Sequence, residues 1–297
     1  MKQSLDTRTK LLTKNPISLM IELSIPAVLG MVVVGLYNMM DSIFVGQMVG
    51  AAQMGAVSVS YPFTLINAGS AAMLGVGSAS VLSRAIGKKD ERTIKKIMGN
   101  LVAMVLLLSV IYTIVGMVFT RQLLSLAGAS DNILNYAEKY LRIVFAGSLF
   151  VNFFQSANMV IRGEGQLKKA MTIIASGAIL NIILDPIMIF GLFGCPAMGI
   201  RGAAIATVIG QMVGAIATLL FNRFRNPLIH AHLKNYHFRW RDVADIYRVG
   251  LPTIIMQAIG SIMTLAVNSI LLPVSATAVA FFGVYYKLQN FLMMHVF

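Results

Sequence analysis

Charged residues and cysteine are both scarce in this sequence. Only 12% of its 297 positions are Asp, Glu, Lys or Arg, about half the share that is usual in a soluble domain. A soluble protein needs charged groups over its whole surface, so this scarcity excludes an ordinary water-soluble domain. The single cysteine, Cys195, excludes an intrachain disulfide.

Long apolar runs take the place of the missing charge. Hydrophobic residues fill 57% of the sequence, and the mean hydropathy is +0.78. Because roughly 20 apolar residues in a helix cross a bilayer, we expect an all-α membrane protein with eight spans. The predicted spans are Ile17–Phe44, Ala52–Leu82, Ile97–Phe119, Ile143–Ile161, Ala170–Leu192, Gly202–Phe221, Val249–Leu272 and a last one from Ser275 onward. The first run follows a polar tail without a small-residue cleavage site, so we expect it to remain as a helix.

The net charge of +13 is distributed over alternate connections between these runs. Basic residues cluster at 2–14, 84–96, 162–169 and 223–248, and the intervening connections carry few. The positive-inside rule therefore predicts a cytoplasmic N-terminus for a multi-pass protein of the plasma or inner membrane. Since nucleic-acid binders gather Lys and Arg on one face instead, we expect the lipid bilayer as a partner and no nucleic acid.

Two parts of the sequence resemble each other. Leu23–Gly30 is similar to Val249–Met256, with a proline at the same place in each, and Asp41–Ile43 lines up with Asn268–Ile270. Repeats of this kind predict two six-helix lobes, although chance similarity between two apolar helices is the alternative. The expected domains are a six-helix N-terminal lobe at 1–222, a cytoplasmic connector at 223–247 and the incomplete start of a C-terminal lobe at 248–297.

Asp185 lies inside the fifth predicted span, where an ionised carboxylate costs about 2.5–3.5 kcal/mol unless it is compensated. Asn181 is one turn earlier on the same helical face. Pro186 follows directly and leaves a carbonyl near Ile182 without its helical donor. These groups suit the binding of H⁺ or Na⁺. The alternative is that the carboxylate hydrates at the outer membrane interface.

Asp41 lies inside the first predicted span, with Tyr37 and Asn38 one turn earlier on the same face. It is the second intramembrane carboxylate, and we expect it to bind the same cation together with Asp185. Its position toward the outer end of the span keeps simple hydration open as the alternative. Tyr37 and Asn38 are predicted to line a substrate cavity.

The seventh predicted span carries an uncharged polar stripe of Gln257, Thr264 and Asn268. Such a stripe suits the wall of a substrate cavity, for which we single out Gln257 and Asn268. Hydrogen bonding between helices explains it equally well.

No catalytic constellation of nucleophile, base or metal ligands occurs within the spans, so we do not expect an enzyme. Three histidines, His230, His232 and His237, lie in the longest polar segment. They are loosely spaced without an acidic or cysteine partner nearby, which favours a solvated connector over a metal site.

Five motifs in order resemble the multidrug and toxic compound extrusion (MATE) family of efflux transporters. They are Asp41–Gly46 after Pro26, Gly87–Asp90, Ile161–Gly165, Asn181–Pro186 and Gly199–Thr207. The resemblance implies two lobes of six helices, alternating access, and export of organic cations or drugs in exchange for H⁺ or Na⁺, without another cofactor.

The resemblance also implies additional members of the cation site. Asn158 and Thr207 would join Asp41, Asn181 and Asp185, and Na⁺ would bind at the last three. We expect a monomer. The alternative function is a lipid-linked saccharide flippase of the same broad superfamily. It ranks lower because such proteins line their cavity with arginine to hold pyrophosphate, and the predicted spans hold almost none.

Overall fold

The computed structural model describes residues 15–49, 51–226 and 240–293. Within these ranges every regular element is helical, which confirms the expected all-α fold. The helices are α1 (Pro16–Val49), α2 (Ala51–Lys88), α3 (Glu91–Leu126), α4 (Asp131–Gly163), α5 (Leu167–Phe190), α6 (Ile200–Leu220), α7 (Trp240–Leu271) and α8 (Ala276–Met293). A 3₁₀ turn at Leu192–Gly194 precedes α6, and a π-helical turn at Phe221–Arg225 follows it.

Seven of these helices, α1 to α7, are long and apolar enough to cross a bilayer, and α8 contains a shorter apolar stretch at Thr277–Tyr286. Each helix coincides with a predicted span, but several begin earlier than hydropathy suggests. Helix α4 starts at Asp131 rather than Ile143, because its first turns are polar and carry an ion pair between Glu138 and Arg142 at 2.8 Å. These charged turns extend the helix beyond its apolar part.

Successive helices run in opposite directions, and α2 lies at the centre of the bundle with α4 and α7 packed along it. The contact between α2 and α7 is antiparallel and very close. A Cβ on Gly77 of α2 would lie 2.2 Å from the Ile246 carbonyl oxygen, and one on Gly250 of α7 would lie 2.1 Å from the Met73 carbonyl oxygen. Glycine is therefore required for the two backbones to touch.

Two apolar clusters fill the bundle, one toward each end. We call the end that carries Lys88 and Lys168 the basic end, and the end where α2 begins the opposite end. Leu101 and Ile246 are buried in the cluster near the basic end, and Phe145 is buried near the opposite end. Other apolar side chains point outward: on α3, those at 107, 111, 114 and 118 are all at least half exposed. This stripe at helical spacing is a lipid-facing surface.

Glycines also bring α5 and α6 together. Cβ atoms built on Gly177 and Gly210 would each lie within 3.2 Å of the other residue's carbonyl oxygen, so the two helices cross at backbone distance. Helix α6 begins after Gly199, whose φ of 55° with ψ of −131° is a conformation that only glycine adopts readily. The crossing of the two glycines and the position at which α6 begins determine how far along the bundle the polar side chains of α6 lie relative to those of α5.

Candidate functional site

The structure brings Asp185, Asn181 and Thr207 together where α5 packs against α6. Asp185 is fully buried and Asn181 is 2% exposed. The Asn181 Nδ2 atom donates to Asp185 Oδ1 at 3.3 Å and to Thr207 Oγ1 at 3.4 Å. One amide therefore joins the carboxyl of α5 to the hydroxyl of α6.

Oxygen atoms dominate this cluster. The Asn181 Oδ1 atom is buried and has no hydrogen-bond partner among the described residues, although buried acceptors are nearly always paired. Pro186 lies inside α5, so the Ile182 carbonyl lacks its helical donor. Carboxylate, amide and carbonyl oxygens are the ligands that hard cations prefer. The arrangement can bind a small cation or a proton.

Helix α1 packs alongside α5 and runs parallel to it. A Cβ on Gly30 would meet Met171, and Phe44 contacts Phe190 with ring centroids 6.0 Å apart. This register places the backbone of Asp41 at the level of residues 182–187, which is the level of Asp185. The side chain of Asp41 lies outside the description, so its participation in the site stays a prediction.

Tyr37 lies one turn before Asp41 on α1, is half-buried and interacts with another residue. The side chain of Asn38 lies outside the description. The role of both residues in a substrate cavity stays a prediction.

Asn158 is not part of this cluster in the structure. Its Nδ2 atom donates to the Ala170 carbonyl oxygen at 2.9 Å, near the basic end of α5. Ala170 precedes Asp185 by 15 positions, which is about 22 Å along a helix. The contribution of Asn158 to cation coupling remains a prediction drawn from the family resemblance, and this geometry does not support it.

The polar residues of α7 also lie apart from Asp185, because α7 packs along α2 rather than against α5 or α6. Gln257 is half-buried beside Gly69 of α2. Thr264 donates to the Gly260 carbonyl of its own helix. Asn268 is 1% exposed, and neither polar atom of its amide has a partner among the described residues. Such an amide suits either a cavity wall or a helix contact, and its role stays a prediction.

His230, His232 and His237 lie outside the described residues. Within the described part of the chain, no group of three or more His, Cys, Asp or Glu side chains is arranged to hold a metal ion.

Sequence reasoning missed the burial of Glu164. The sequence shows Glu164 only as a member of the Ile161–Gly165 motif, whereas in the structure this residue is 8% exposed at the turn between α4 and α5. The available signal was the pair Asn222 and Asn226, four residues apart on and directly after the π-helical turn that follows α6, a segment that we call the end of α6. Asn226 bonds Glu164, and Asn222 bonds Asn226.

Seven helices long enough to cross a bilayer, with a buried carboxyl, amide and hydroxyl where two of them meet, are typical of a multi-pass membrane transporter. A sequence model of the MatE family matches residues 26–187, which is more than half of the chain. The chain belongs to the MatE family. This is a family of multidrug transporters and not of enzymes.

Curated relatives carry names that agree with this family. The probable multidrug resistance protein YoeA of Bacillus subtilis is 27% identical over 273 residues, which cover 91% of this chain and 59% of YoeA. The multidrug export protein MepA of Staphylococcus haemolyticus is 26% identical over 272 residues, which cover 92% of this chain and 59% of MepA. The chain thus spans about three fifths of the length of these relatives.

Solved structures are similar in both fold and sequence. The MATE multidrug transporter DinF-BH superposes with a TM-score of 0.89 at 35% identity, over 95% of this chain and 63% of that one. The inward-facing conformation of a multidrug resistance MATE family transporter superposes with a TM-score of 0.82 at 29% identity, over 88% of this chain and 59% of the other.

Proposed function

We propose that this chain acts in the export of organic cations and drugs across the cell membrane, driven by the opposite flow of H⁺ or Na⁺ through Asp185. The observation that carries the proposal is the full burial of Asp185 within hydrogen-bond reach of Asn181, which also bonds Thr207. The names of the relatives, which denote multidrug export, agree with it.

A buried carboxylate suits coupling because its charge must be balanced. In the low dielectric of the bundle, the charge of Asp185 is removed by protonation or balanced by a bound Na⁺, and release of that ion restores an unfavourable negative charge. A cationic substrate can offset the same charge. Occupancy by the coupling ion and by the substrate is then mutually exclusive, which is the requirement for exchange.

The arrangement in the membrane follows from the charge pattern and the repeat. Residues 1–222 form the N-terminal lobe, 223–247 a connector, and 248–297 belong to a second lobe. The basic end faces the cytoplasm, since it carries the basic connections. Asp41 completes the cation site from α1, whose backbone lies at the level of Asp185, and the chain works as a monomer.

The test is transport by the purified chain in proteoliposomes, with a fluorescent organic cation as substrate and an imposed pH gradient or an imposed Na⁺ gradient. We expect one of the two gradients to drive transport in the wild type. Asp185→Asn should abolish gradient-driven transport, because an amide keeps the volume and cannot change its charge.

Asp131→Asn is the matched control, since Asp131 is exposed at the start of α4. It should transport at the wild-type rate. Wild-type transport by a folded Asp185→Asn protein would refute the proposed role of Asp185.

A further inference from the structure

A second buried carboxyl group lies at the basic end of the bundle, far from Asp185. Glu164 caps the end of α4 in the short turn that leads to α5 and is 8% exposed. It lies outside the helices that are long enough to span the membrane. Nothing in the proposed exchange at Asp185 uses this group.

Amides surround the Glu164 carboxyl group. The Asn226 Nδ2 atom lies 3.0 Å from Oε1 and 2.8 Å from Oε2, and the Gln166 Nε2 atom donates to Oε2 at 3.0 Å. The same Asn226 nitrogen lies 3.0 Å from the Asn222 Oδ1 atom at the end of α6. Glu164 therefore connects the α4–α5 turn to the end of α6 through a single amide.

No basic group forms an ion pair with Glu164 among the described residues. The positive charge of Lys169 on α5 attracts the Glu164 carboxylate. The Lys169 ammonium group, however, donates to Gln166 Oε1 at 3.0 Å and lies 5.0 Å from the centre of the Phe221 ring. The other basic residues of the adjoining elements are Arg162 at the end of α4, Lys168 on α5, and Arg223 and Arg225 on the π turn.

A buried carboxylate without a cation is costly unless it takes up a proton. A protonated carboxyl group keeps an acceptor oxygen for Asn226 and removes the buried negative charge.

We infer that Glu164 is a proton-binding site at the basic end of the lobe, and that its protonated form holds the α4–α5 turn against the end of α6. We call this contact between Glu164 and Asn226 the clasp. Deprotonation favours hydration of the carboxylate, which requires the turn and the end of α6 to separate. The site contains no residue of the Asp185 cluster and does not depend on transport.

The direction of the pH effect follows because proton binding by Glu164 is coupled to the stability of the contact. Burial raises the pKa of Glu164 from 4.5 to about 7, partly opposed by the hydrogen bonds from Asn226 and Gln166 and by the charge of Lys169. A raised pKa in the folded state means that the clasp is stabilised by its proton. This stabilisation is complete below about pH 4.5 and is lost as the pH rises through about 7.

The first test is carbon NMR of the purified chain labelled with ¹³C at the glutamate carboxyl. The sequence has four glutamates, Glu22, Glu91, Glu138 and Glu164, so no aspartate of the transport site contributes. We expect one signal with a midpoint near pH 7 that disappears in Glu164→Gln. Glu164→Asp removes the same signal and serves if the glutamine variant does not fold. A Glu164 midpoint in the ordinary glutamate range would overturn the inference.

The second test measures the clasp itself. Spin labels at Lys168→Cys and Phe224→Cys, both exposed positions, report the distance between α5 and the end of α6 in a Cys195→Ala background. We expect a single narrow distance at pH 5.5 and a longer or broader one at pH 8.5. Glu164→Gln should keep the narrow distance at both values.

Glu91→Gln is the matched control, because Glu91 is an exposed glutamate on α3, and it should behave like the wild type. A distance that does not change with pH in the wild type, or that changes equally in Glu164→Gln, would show that Glu164 does not operate a clasp.

Discussion

Thr207 is the residue of α6 that bonds the polar side chains of α5. Its hydroxyl lies 3.4 Å from the Asn181 amide, and that amide also bonds Asp185. We expect Thr207→Val to weaken the apparent affinity for the driving ion about fivefold, since one neutral hydrogen bond contributes about 1 kcal/mol. The measurement is transport as a function of the concentration of whichever ion drives it.

Thr172→Val is the control for this change, because the Thr172 hydroxyl bonds only the Lys168 carbonyl of its own helix in an exposed position. Its ion affinity should equal that of the wild type. Equal ion affinity in Thr207→Val and in the wild type would mean that the hydroxyl takes no part in ion binding.

The sequence predicted the polar site to different degrees at different residues. Asp185 and Asn181 could be found from one sequence because residues one turn apart share a helical face, and an acid among apolar residues is rare. Thr207 could be placed only through the family resemblance, since its depth depends on the turn between α5 and α6. The role of Asn158 also comes only from the family resemblance and stays a prediction, and in the structure its amide bonds the Ala170 carbonyl oxygen.

At the scale of helices, glycines in α2 allow the backbone of α7 to contact the backbone of α2. A Cβ on Gly77 would lie 2.2 Å from the Ile246 carbonyl oxygen. Gly77→Ala must therefore separate the two helices, and we expect it to lower the free energy of unfolding by about 1–3 kcal/mol. The measurement is denaturant or thermal unfolding of the purified chain in detergent.

Gly87 provides the matched control on the same helix. Nothing lies within 4 Å of a Cβ built there, so Gly87→Ala should leave stability unchanged or raise it by up to about 1 kcal/mol through helix propensity. If both variants unfold at the same denaturant concentration, the close contact between α2 and α7 does not contribute to stability.

The helices were predictable from hydropathy, but their ends and partners were not. Helix α3 begins at Glu91 with Asp90 as its cap, six residues before the expected Ile97, since those turns are charged. The pairing of α2 with α7 could not be predicted either, because a glycine in an apolar helix marks close packing without naming the neighbour. That information depends on three-dimensional register.

On the scale of the whole molecule, α8 packs against α2 at the opposite end of the bundle. Helix α8 contacts α2 where Tyr286 meets Tyr61 edge-on, with ring centroids 5.8 Å apart. A Cβ built on Gly283 would lie 2.8 Å from the Ser58 Cβ atom. Export by alternating access, which the family resemblance implies, would require this contact to open during each cycle, because a substrate that enters at the cytoplasmic basic end must be released at the opposite end.

A disulfide across this contact tests that requirement. Bonded cysteines have Cβ atoms about 3.5–4.5 Å apart, so a small separation of the helices allows Ser58→Cys to pair with Gly283→Cys in a Cys195→Ala background. We expect mild oxidation to form the bond and to stop transport, and a reductant to restore transport.

Ser58→Cys with Gly87→Cys is the control, because these positions lie at opposite ends of α2, about 43 Å apart along the helix, and cannot pair. Full transport by the oxidised Ser58–Gly283 pair would mean that α2 and α8 remain together while substrate crosses, and the path would then have to lie elsewhere in the bundle.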